Sequence, residues 1–507
     1  MKLFTAQQIR DWDSYTMQEE PIASVDLMER AATACVDWLL EHFPNQVFYT
    51  IFCGKGNNGG DGLAIARLLT VSNCSVAVYI AESDGEGSYD FRTNLERLEQ
   101  LSPGLVQFIQ TSEELPLVAT DNIIIDAILG TGINRPVTGF MAALFDYINS
   151  LTNIVVAIDM PSGLYADKAG DNNPVVQAEH TLSFQGYKRG LLMADNARAV
   201  GQVHILPIGL DTDYYNQTDT PFEIIDAALI ATIYKPRLRF AHKGSYGHGL
   251  LIAGSYGKTG AAVLSAKAAL RSGIGLLTCY VPATGYSILQ GNVPEAMVIT
   301  DAEANQISEL ELNTEIYTSI GIGPGIGTLS QTINALHHLL QQYRHPMVID
   351  ADALNILGLH KGWQTLIPAN SILTPHPKEF ERLFGTTPNN FAQQQLALEK
   401  AQLLNCIIIV KGHHSFIATP AGRGFYNTTG NAGMATGGSG DVLTGLLTGL
   451  LAQGYAPEDA AIFGVYLHGL AGDLAATAKS MEAMTAGDIV AYLGQSFQQI
   501  GRYGQSI

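Results

Sequence analysis

Cysteine is scarce in this chain, and none of it is paired. Five cysteines (Cys35, Cys53, Cys74, Cys279 and Cys406) are spread over 507 residues without a CxxC spacing. An odd, scattered set suits free thiols in a reducing cytoplasmic setting and argues against a zinc site. Charge is thin at 15% and runs negative, with 47 acidic against 28 basic residues for a net −19. No basic cluster exceeds isolated pairs such as Lys188-Arg189, which disfavours a nucleic-acid-binding face. Anionic ligands must then be held locally, by helix N-termini and single lysines. No run approaches 18 uninterrupted apolar residues, which argues against a membrane span, and the charged stretch Met1 to Asp13 lacks the apolar core of a secretory signal. With 47% hydrophobic residues the chain can bury a large core in two or three domains, and its acidic surface is compatible with a homo-oligomer.

What is present alternates between helical and strand patterns. Ile22 to Phe43 has helical apolar spacing, whereas Val47 to Cys53 is a compact apolar run, the mark of a strand buried on both faces. Gly54-Lys55-Gly56-Asn57-Asn58-Gly59-Gly60-Asp61-Gly62 follows as a glycine turn, then a helix from Leu63 to Leu69 and strands at Val76 to Ile80, Ile123 to Asp126 and Ile154 to Asp159. This βαβ order predicts a parallel sheet with ligands at the carboxyl ends of its strands. Polar groups gather at those ends: Asn57, Asn58 and Asp61; Asp126 with Gly130-Thr131-Gly132; Asp159 with Pro161-Ser162-Gly163. Any one Asp there is most simply a helix cap or turn former, but the three together point to a site. Their hard oxygens suit an alkali or alkaline-earth cation. The glycine spacing departs from the dinucleotide fingerprint and only Glu82 follows the next strand, so a redox Rossmann domain is disfavoured.

The polar stretch Asp211 to Thr220 breaks the pattern and is read as a linker, dividing the chain into 1–215 and 216–507. Beyond it Gly249 to Ala253 starts a new strand, and Gly254 to Gly260 turns into a helix over Ala261 to Arg271 without meeting the GxxxxGK[ST] spacing. Further strands end in Gly321 to Gly327, in Asp350-Ala351-Asp352-Ala353-Leu354-Asn355, in Thr374-Pro375-His376-Pro377-Lys378-Glu379 and in Lys411-Gly412-His413-His414-Ser415. Near the end, Gly437-Gly438-Ser439-Gly440-Asp441 opens an apolar helical pattern (Val442, Leu443, Leu446, Leu447, Leu450, Leu451). Such a turn directs backbone N–H groups at a phosphate, with an aspartate placed to take a proton from a hydroxyl.

These motifs carry a resemblance. The Gly437 to Leu443 turn, Gly323-Pro324-Gly325, Asp350 to Asn355 and Thr374 to Glu379 resemble the NAD(P)H-hydrate dehydratase family, a branch of the ribokinase-like fold. Asn57 to Gly62 and Asp159-Met160-Pro161-Ser162-Gly163-Leu164 resemble the NAD(P)HX epimerase domain. The two in this order are similar to the bacterial bifunctional NAD(P)HX repair enzymes. The resemblance implies an α/β chain: an N-terminal Rossmann-like βαβ layered domain, then a larger ribokinase-like α/β domain. It implies that Asn57, Asn58, Gly59, Gly60, Asp61, the loop Gly130, Thr131, Gly132, Ile133, Asn134, Arg135 and Pro136, and Asp159 contact the hydrated dinucleotide. Asn58, Asp126 and Ser162 would bind K+, and Asp159 would be the acid/base group of epimerisation. In the second half Ala262, Gly325, His376 and Asp441 would face the S-hydrate, while Lys411, Gly412, His413, His414, Ser415 and Gly440 hold ADP. Asp441 would be the catalytic base of a phosphorylation that precedes elimination, assisted by Mg2+. Which of Lys378, Glu379 or Asp352 helps to hold the magnesium is left open. The alternative is a ribokinase-like kinase for a vitamin or sugar alcohol, fused to a non-catalytic interaction module.

Overall fold

The computed structural model describes residues 1–82, 85–170, 172–310 and 312–503. It forms two compact units, Lys2–Thr220 and Pro221–Ile507, the latter joined by Met1. The first unit runs α1 (Ala6–Glu19), α2 (Ser24–His42), β1 (Phe48–Cys53), α3 (Asn57–Val71), β2 (Ser75–Ala81), α4 (Tyr89–Leu101) and β3 (Val106–Ile109). It continues with β4 (Ile123–Ala127), α5 (Phe140–Ser150), β5 (Val155–Ile158), β6 (His180–Phe184), α6 (Ala197–Val200), β7 (Gln202–Leu206) and α7 (Thr212–Gln217).

Its seven strands lie in the order β3-β2-β1-β4-β5-β6-β7, every pair parallel. Successive residues of the central strands are buried on opposite faces. Ile51 and Ile125 pack with α2 and α3, whereas Phe52 and Ile124 pack with α5. That two-sided burial is why the strands are uninterrupted apolar runs. The strand order reverses between β1 and β4, so the crevice beyond their carboxyl ends is where such a sheet binds ligands.

Two local expectations are corrected. Helix α3 begins at Asn57, six residues before the predicted Leu63, because the glycines there serve close packing inside a helix rather than a loop. A Cβ at Gly59 would lie 1.8 Å from the Gly54 carbonyl oxygen. The presumed linker contains α7: Asp211 caps it by accepting from the N–H groups of Asp213 (2.7 Å) and Tyr214 (3.2 Å), and the rings of Tyr214 and Tyr215 pack on Phe4 and Trp12.

The second unit runs β8 (Phe222–Ile225), α8 (Ala227–Ile233), β9 (His248–Ile252), α9 (Thr259–Arg271), β10 (Leu276–Val281), α10 (Tyr286–Asn292), β11 (Met297–Thr300) and β12 (Ser319–Ile322). Next come α11 (Ser330–Gln342), β13 (Met347–Ile349), α12 (Ala351–Leu359), β14 (Ile372–Leu373), α13 (Pro377–Phe384), α14 (Asn390–Leu404) and β15 (Ile407–Val410). The chain closes with β16 (Phe416–Ala418), β17 (Gly424–Asn427), α15 (Ser439–Ala452), α16 (Pro457–Lys479) and α17 (Ala486–Tyr503).

The ten-stranded sheet has the order β11-β10-β9-β12-β13-β14-β15-β16-β17-β8. It is parallel from β11 to β15, after which β16 pairs antiparallel with both β15 and β17. Val348, Ile372 and Ile407 pack on α15 and α16; Ile320, Ile349 and Leu373 pack on α11 and α12. Helix α16, at 23 residues, is long and apolar enough by composition to cross a membrane, but most of it is buried in this core.

Candidate functional sites

In the N-terminal unit, β4 ends in a carboxylate that is fully enclosed. Asp126 Oδ2 accepts from Ser162 N at 2.8 Å and Oδ1 from Ser162 Oγ at 2.5 Å and Ile128 N at 3.3 Å; Ser162 Oγ in turn accepts from Leu129 N at 2.7 Å. Burial pushes Asp126 up to about 6 despite those bonds. The next residue after Leu129, Gly130, lies against Asn58: a Cβ there would sit 3.3 Å from Asn58 Cβ. Asn58 is buried in the first turn of α3, and neither its amide oxygen nor its amide nitrogen has a hydrogen-bond partner. A buried side-chain amide left so costs about 1–3 kcal/mol unless something satisfies it. The side-chain oxygens of Asn58, Asp126 and Ser162 are hard donors, of the kind an alkali cation takes. Among the described residues no cluster of three His, Cys, Asp or Glu side chains could hold a metal.

Asp159 follows β5 in the left-handed region, φ +65°. Its Oδ1 accepts from Phe184 N at 3.2 Å and forms an ion pair with Lys188. Lys188 is wholly buried, and its ammonium also donates to Ser183 Oγ at 2.9 Å and Phe184 O at 3.0 Å. Asp61 is buried one turn into α3, its carboxyl held well above the usual range by burial and then by Asp159, Asp13 and Asp90. Gly59 and Gly60 are buried beside it, and Asn57 is exposed at the head of the helix. The loop from Gly130 to Pro136 leaves the sheet edge, with Thr131 and Ile133 partly buried and Gly132, Asn134, Arg135 and Pro136 exposed.

The second unit builds its site on the turn into α15. Gly438 takes φ +95°, where a side chain is strained, and this lets Ser439 start the helix with Asp441 in its first turn. Ser439 Oγ donates to Met434 O at 2.8 Å, and the buried His468 of α16 bonds through Nε2 to Ser439 O at 3.0 Å; burial pushes that imidazole down to about 4, so it is neutral and donates. Asp350, the N-cap of α12, is buried beneath the turn. It accepts from Lys411 Nζ at 2.8 Å and Thr444 Oγ1 at 2.6 Å. Its carboxyl is lowered: burial alone would raise it, but Lys411 and the hydrogen bonds prevail. Lys411 Nζ lies 3.5 Å from where a Gly440 Cβ would be, so the Lys411 to Ser415 loop flanks the turn. Gly412 and His413 are exposed; Ser415 is partly buried; His414 is pushed down to about 4 by burial, and its Nδ1 has no partner. Asp441 is pushed up to about 6 by burial and then by Asp350, with Lys411 opposing.

His376 is the N-cap of α13. Its Nδ1 accepts from the N–H of Lys378 at 3.1 Å and Glu379 Oε2 accepts from His376 N at 2.9 Å, a reciprocal cap. Burial and Lys411 lower the imidazole, which leaves it neutral. At the switch point of this sheet, between β9 and β12, Gly254 N donates to Pro324 O at 2.8 Å and Ser255 Oγ to Gly325 O at 2.7 Å. Ala262 is buried in the first turn of α9, 3.4 Å from a Cβ at Gly254, and Gly325 packs on Lys258. Lys258 reaches Asp352 Oδ2 at 3.3 Å, and Gly327 N donates to the same oxygen at 2.8 Å. Lys188, Thr444 and His468 escape the sequence reading; Lys188 shows there only as half of an isolated basic pair, and Lys258 only as part of the Gly254 to Gly260 turn.

A family model described as NAD(P)H-hydrate dehydratase matches residues 249–495, and one described as YjeF-related protein N-terminus matches 24–190. The bifunctional NAD(P)H-hydrate repair enzyme Nnr of Moorella thermoacetica is 37% identical, covering 97% of this chain and 96% of its own. Its Escherichia coli counterpart is 33% identical over 92% of this chain and 88% of its own. A crystal structure of ADP/ATP-dependent NAD(P)H-hydrate dehydratase from Bacillus subtilis, co-crystallized with ATP/Mg2+, is 31% identical with a TM-score of 0.48, covering 55% of this chain and 98% of that one.

Proposed function

The chain belongs to the family of bifunctional NAD(P)H-hydrate repair enzymes, and from that premise we propose how its two units divide the work. The enzyme is an isomerase and a lyase: it epimerises R- and S-NAD(P)HX and dehydrates the S form to NAD(P)H at the expense of a nucleotide. The N-terminal unit carries the epimerisation and the second unit the dehydration. The observation that carries this division is that each unit has its own partly buried carboxylate, Asp159 after β5 in one and Asp441 in the first turn of α15 in the other.

In the second unit, ADP is the phosphoryl donor, held by Lys411 to Ser415 and the Gly440 amide. The unpartnered His414 Nδ1 supports this placement. The S-hydrate lies over Ala262, Gly325 and His376. Asp441 takes the proton of the C6 hydroxyl as that oxygen attacks the terminal phosphorus of ADP; AMP leaves. The amides of Gly438 to Gly440 at the head of α15 offset the growing phosphate charge. A hydroxyl departs poorly but its phosphate ester departs readily: inorganic phosphate leaves C6, a proton is lost from C5, and the double bond formed between them restores the dihydronicotinamide ring. Magnesium, when bound, would neutralise phosphate charge; Glu379, buried beside Lys411, and Asp352 are the carboxylates we assign to it.

In the N-terminal unit, the dinucleotide is contacted by Asn57 to Asp61 and the Gly130 to Pro136 loop, with Asp159 as acid/base group. Potassium, when bound at Asn58, Asp126 and Ser162, supplies a fixed positive charge; the orphaned Asn58 amide is what supports it. Incubating the protein with ADP and heat-hydrated NADH tests the whole reading. NADH absorbance returns from both hydrate epimers if it holds, and from neither if the second unit instead phosphorylates an unrelated alcohol.

A further inference from the structure

Lys188 is the only lysine or arginine among the described residues that is buried, and it is wholly so. Its backbone is fixed from behind: Gly190 N donates to Ala166 O at 2.7 Å, and a Cβ at Gly190 would lie 2.3 Å from Tyr165 O. The ammonium has three protons, and Asp159 Oδ1, Ser183 Oγ (2.9 Å) and Phe184 O (3.0 Å) take all of them. These partners are tied to one another. Phe184 N donates to the same Oδ1 at 3.2 Å, Gly186 N to Phe184 O at 2.7 Å, and Ser183 Oγ to Gly186 O at 2.8 Å. Two residues of this ring, Asp159 (φ +65°) and Gln185 (φ +61°), hold the left-handed backbone that residues with side chains avoid. Both still extend their strands' ladders, Asp159 N to Leu182 O and Gln185 N to Leu206 O, each at 2.8 Å. Backbone strain at a strand end, kept in place by its surroundings, points to function.

Stability alone does not account for a buried ion pair, since apolar side chains of like volume often serve as well or better. What the lysine does is divide the carboxylate. Oδ1 receives an ammonium and a peptide N–H, which use the lone pairs a proton would need. Among the described residues no donor reaches Oδ2, and the Asp159 side chain keeps 14% of its surface exposed. We propose that Lys188 is the positioning residue of epimerisation: it commits Oδ1 to the fold and so makes Oδ2 the atom that exchanges a proton with the substrate. The proposal rests on the epimerase reading above and deepens it. Lys188 has no proton left to offer a substrate, so it acts on the reaction only through Asp159.

The test is a double-mutant cycle in the full chain, following R-to-S conversion of R-NADPHX by separating the epimers, with dehydration of the S form as a control. Lys188→Met, which keeps the length and loses the charge, is expected to lower kcat by roughly a hundredfold, the cost of misplacing a reacting group. KM for R-NADPHX should hold within about threefold, because the lysine takes no part in binding. Asp159→Asn should cost roughly a thousandfold. The double variant should convert as Asp159→Asn does alone, within about threefold, because the lysine has then lost the group it acts through. Dehydration should be alike in all four proteins. A Lys188→Met protein whose kcat stays within about threefold of the unaltered one, or whose loss is confined to KM, overturns the proposal. So does a double variant slower than Asp159→Asn by more than about threefold, the mark of a lysine that supports the fold independently of the carboxylate. Where Lys188→Met fails to fold, the double variant, which leaves no charged carboxylate unpaired, still carries that comparison. An unaltered protein that converts nothing, or Asp159→Asn converting at the full rate, overturns the epimerase reading instead, and this proposal with it.

Discussion

Lys411 donates to Asp350 across 2.8 Å, at the end of a strand and beneath the first turn of α15. The pair keeps a buried carboxylate ionised directly next to Asp441, so the group that sets the proposed base is itself set by a lysine 61 residues away. With Asp441→Asn the dehydration of S-NAD(P)HX should fall by roughly a thousandfold, in the range of a lost general base, while R-to-S epimerisation continues. Equal loss of both activities would contradict a base confined to the second unit.

Dehydration should depend on pH through Asp441. Burial and the negative charge of Asp350 raise its folded value to about 6, and a base works only when ionised. The rate should therefore be level above about 7 and fall as pH drops through about 6. Asp350→Asn removes the repelling charge and should carry the acid limb to lower pH. A profile of kcat/KM in both proteins reads this directly, and coincident limbs would rule out the coupling.

Removing Lys411 should damage stability as well as chemistry. Lys411→Met leaves Asp350, almost wholly buried, with hydroxyl donors in place of a cation, Thr444 at 2.6 Å among them. Breaking an enclosed ion pair from one side typically costs about 3–5 kcal/mol; the partial exposure of Lys411 places the expectation at about 3 kcal/mol. Denaturant unfolding should show that loss in the second unit's transition, with KM for ADP raised. An unchanged midpoint would mean that Asp350 finds another partner.

Potassium should matter to one activity only. Asn58→Ala deletes the two unpartnered buried atoms and should raise the K+ concentration needed for half-maximal epimerisation by roughly tenfold or more, since even outer-shell changes cost that much. Dehydration should show no change across the same titration. Epimerisation that is indifferent to exchange of potassium for lithium in the unaltered protein would remove the cation from the site.

Much of this was legible in the chain because it is local. Apolar strands that end in Asp126, Asp159 and Asp350 announce parallel sheets, and the pattern Gly438-Ser439-Gly440-Asp441 announces a helix head, since in each case the signal lies within ten residues. What stayed hidden are pairings across the fold. Lys188 reaches Asp159 over 29 residues, and Ser162 reaches Asp126 over 36. No periodicity encodes such contacts. The glycines of α3 misled for a different reason: the same residue type marks both a free turn and a helix pressed against its neighbours.

That last distinction can be tested at Gly59. A Cβ added there would stand 1.8 Å from Gly54 O and 2.6 Å from Gly54 C, both backbone atoms that cannot swing aside. If Asn57 to Gly62 were a pliant loop, Gly59→Ala would be tolerated. Since it is the start of α3, packed against the end of β1, the methyl must push the helix away from the strand, and overpacking of this kind costs about 1–3 kcal/mol or more. The same displacement would move Asn58 off Gly130 and Asp61 away from Asp159, so epimerisation should fall further than stability does. Dehydration by the second unit, measured on S-NAD(P)HX in the same preparation, should be unaffected. Full epimerase activity in Gly59→Ala would show that the turn yields, and that its glycines are there for flexibility after all.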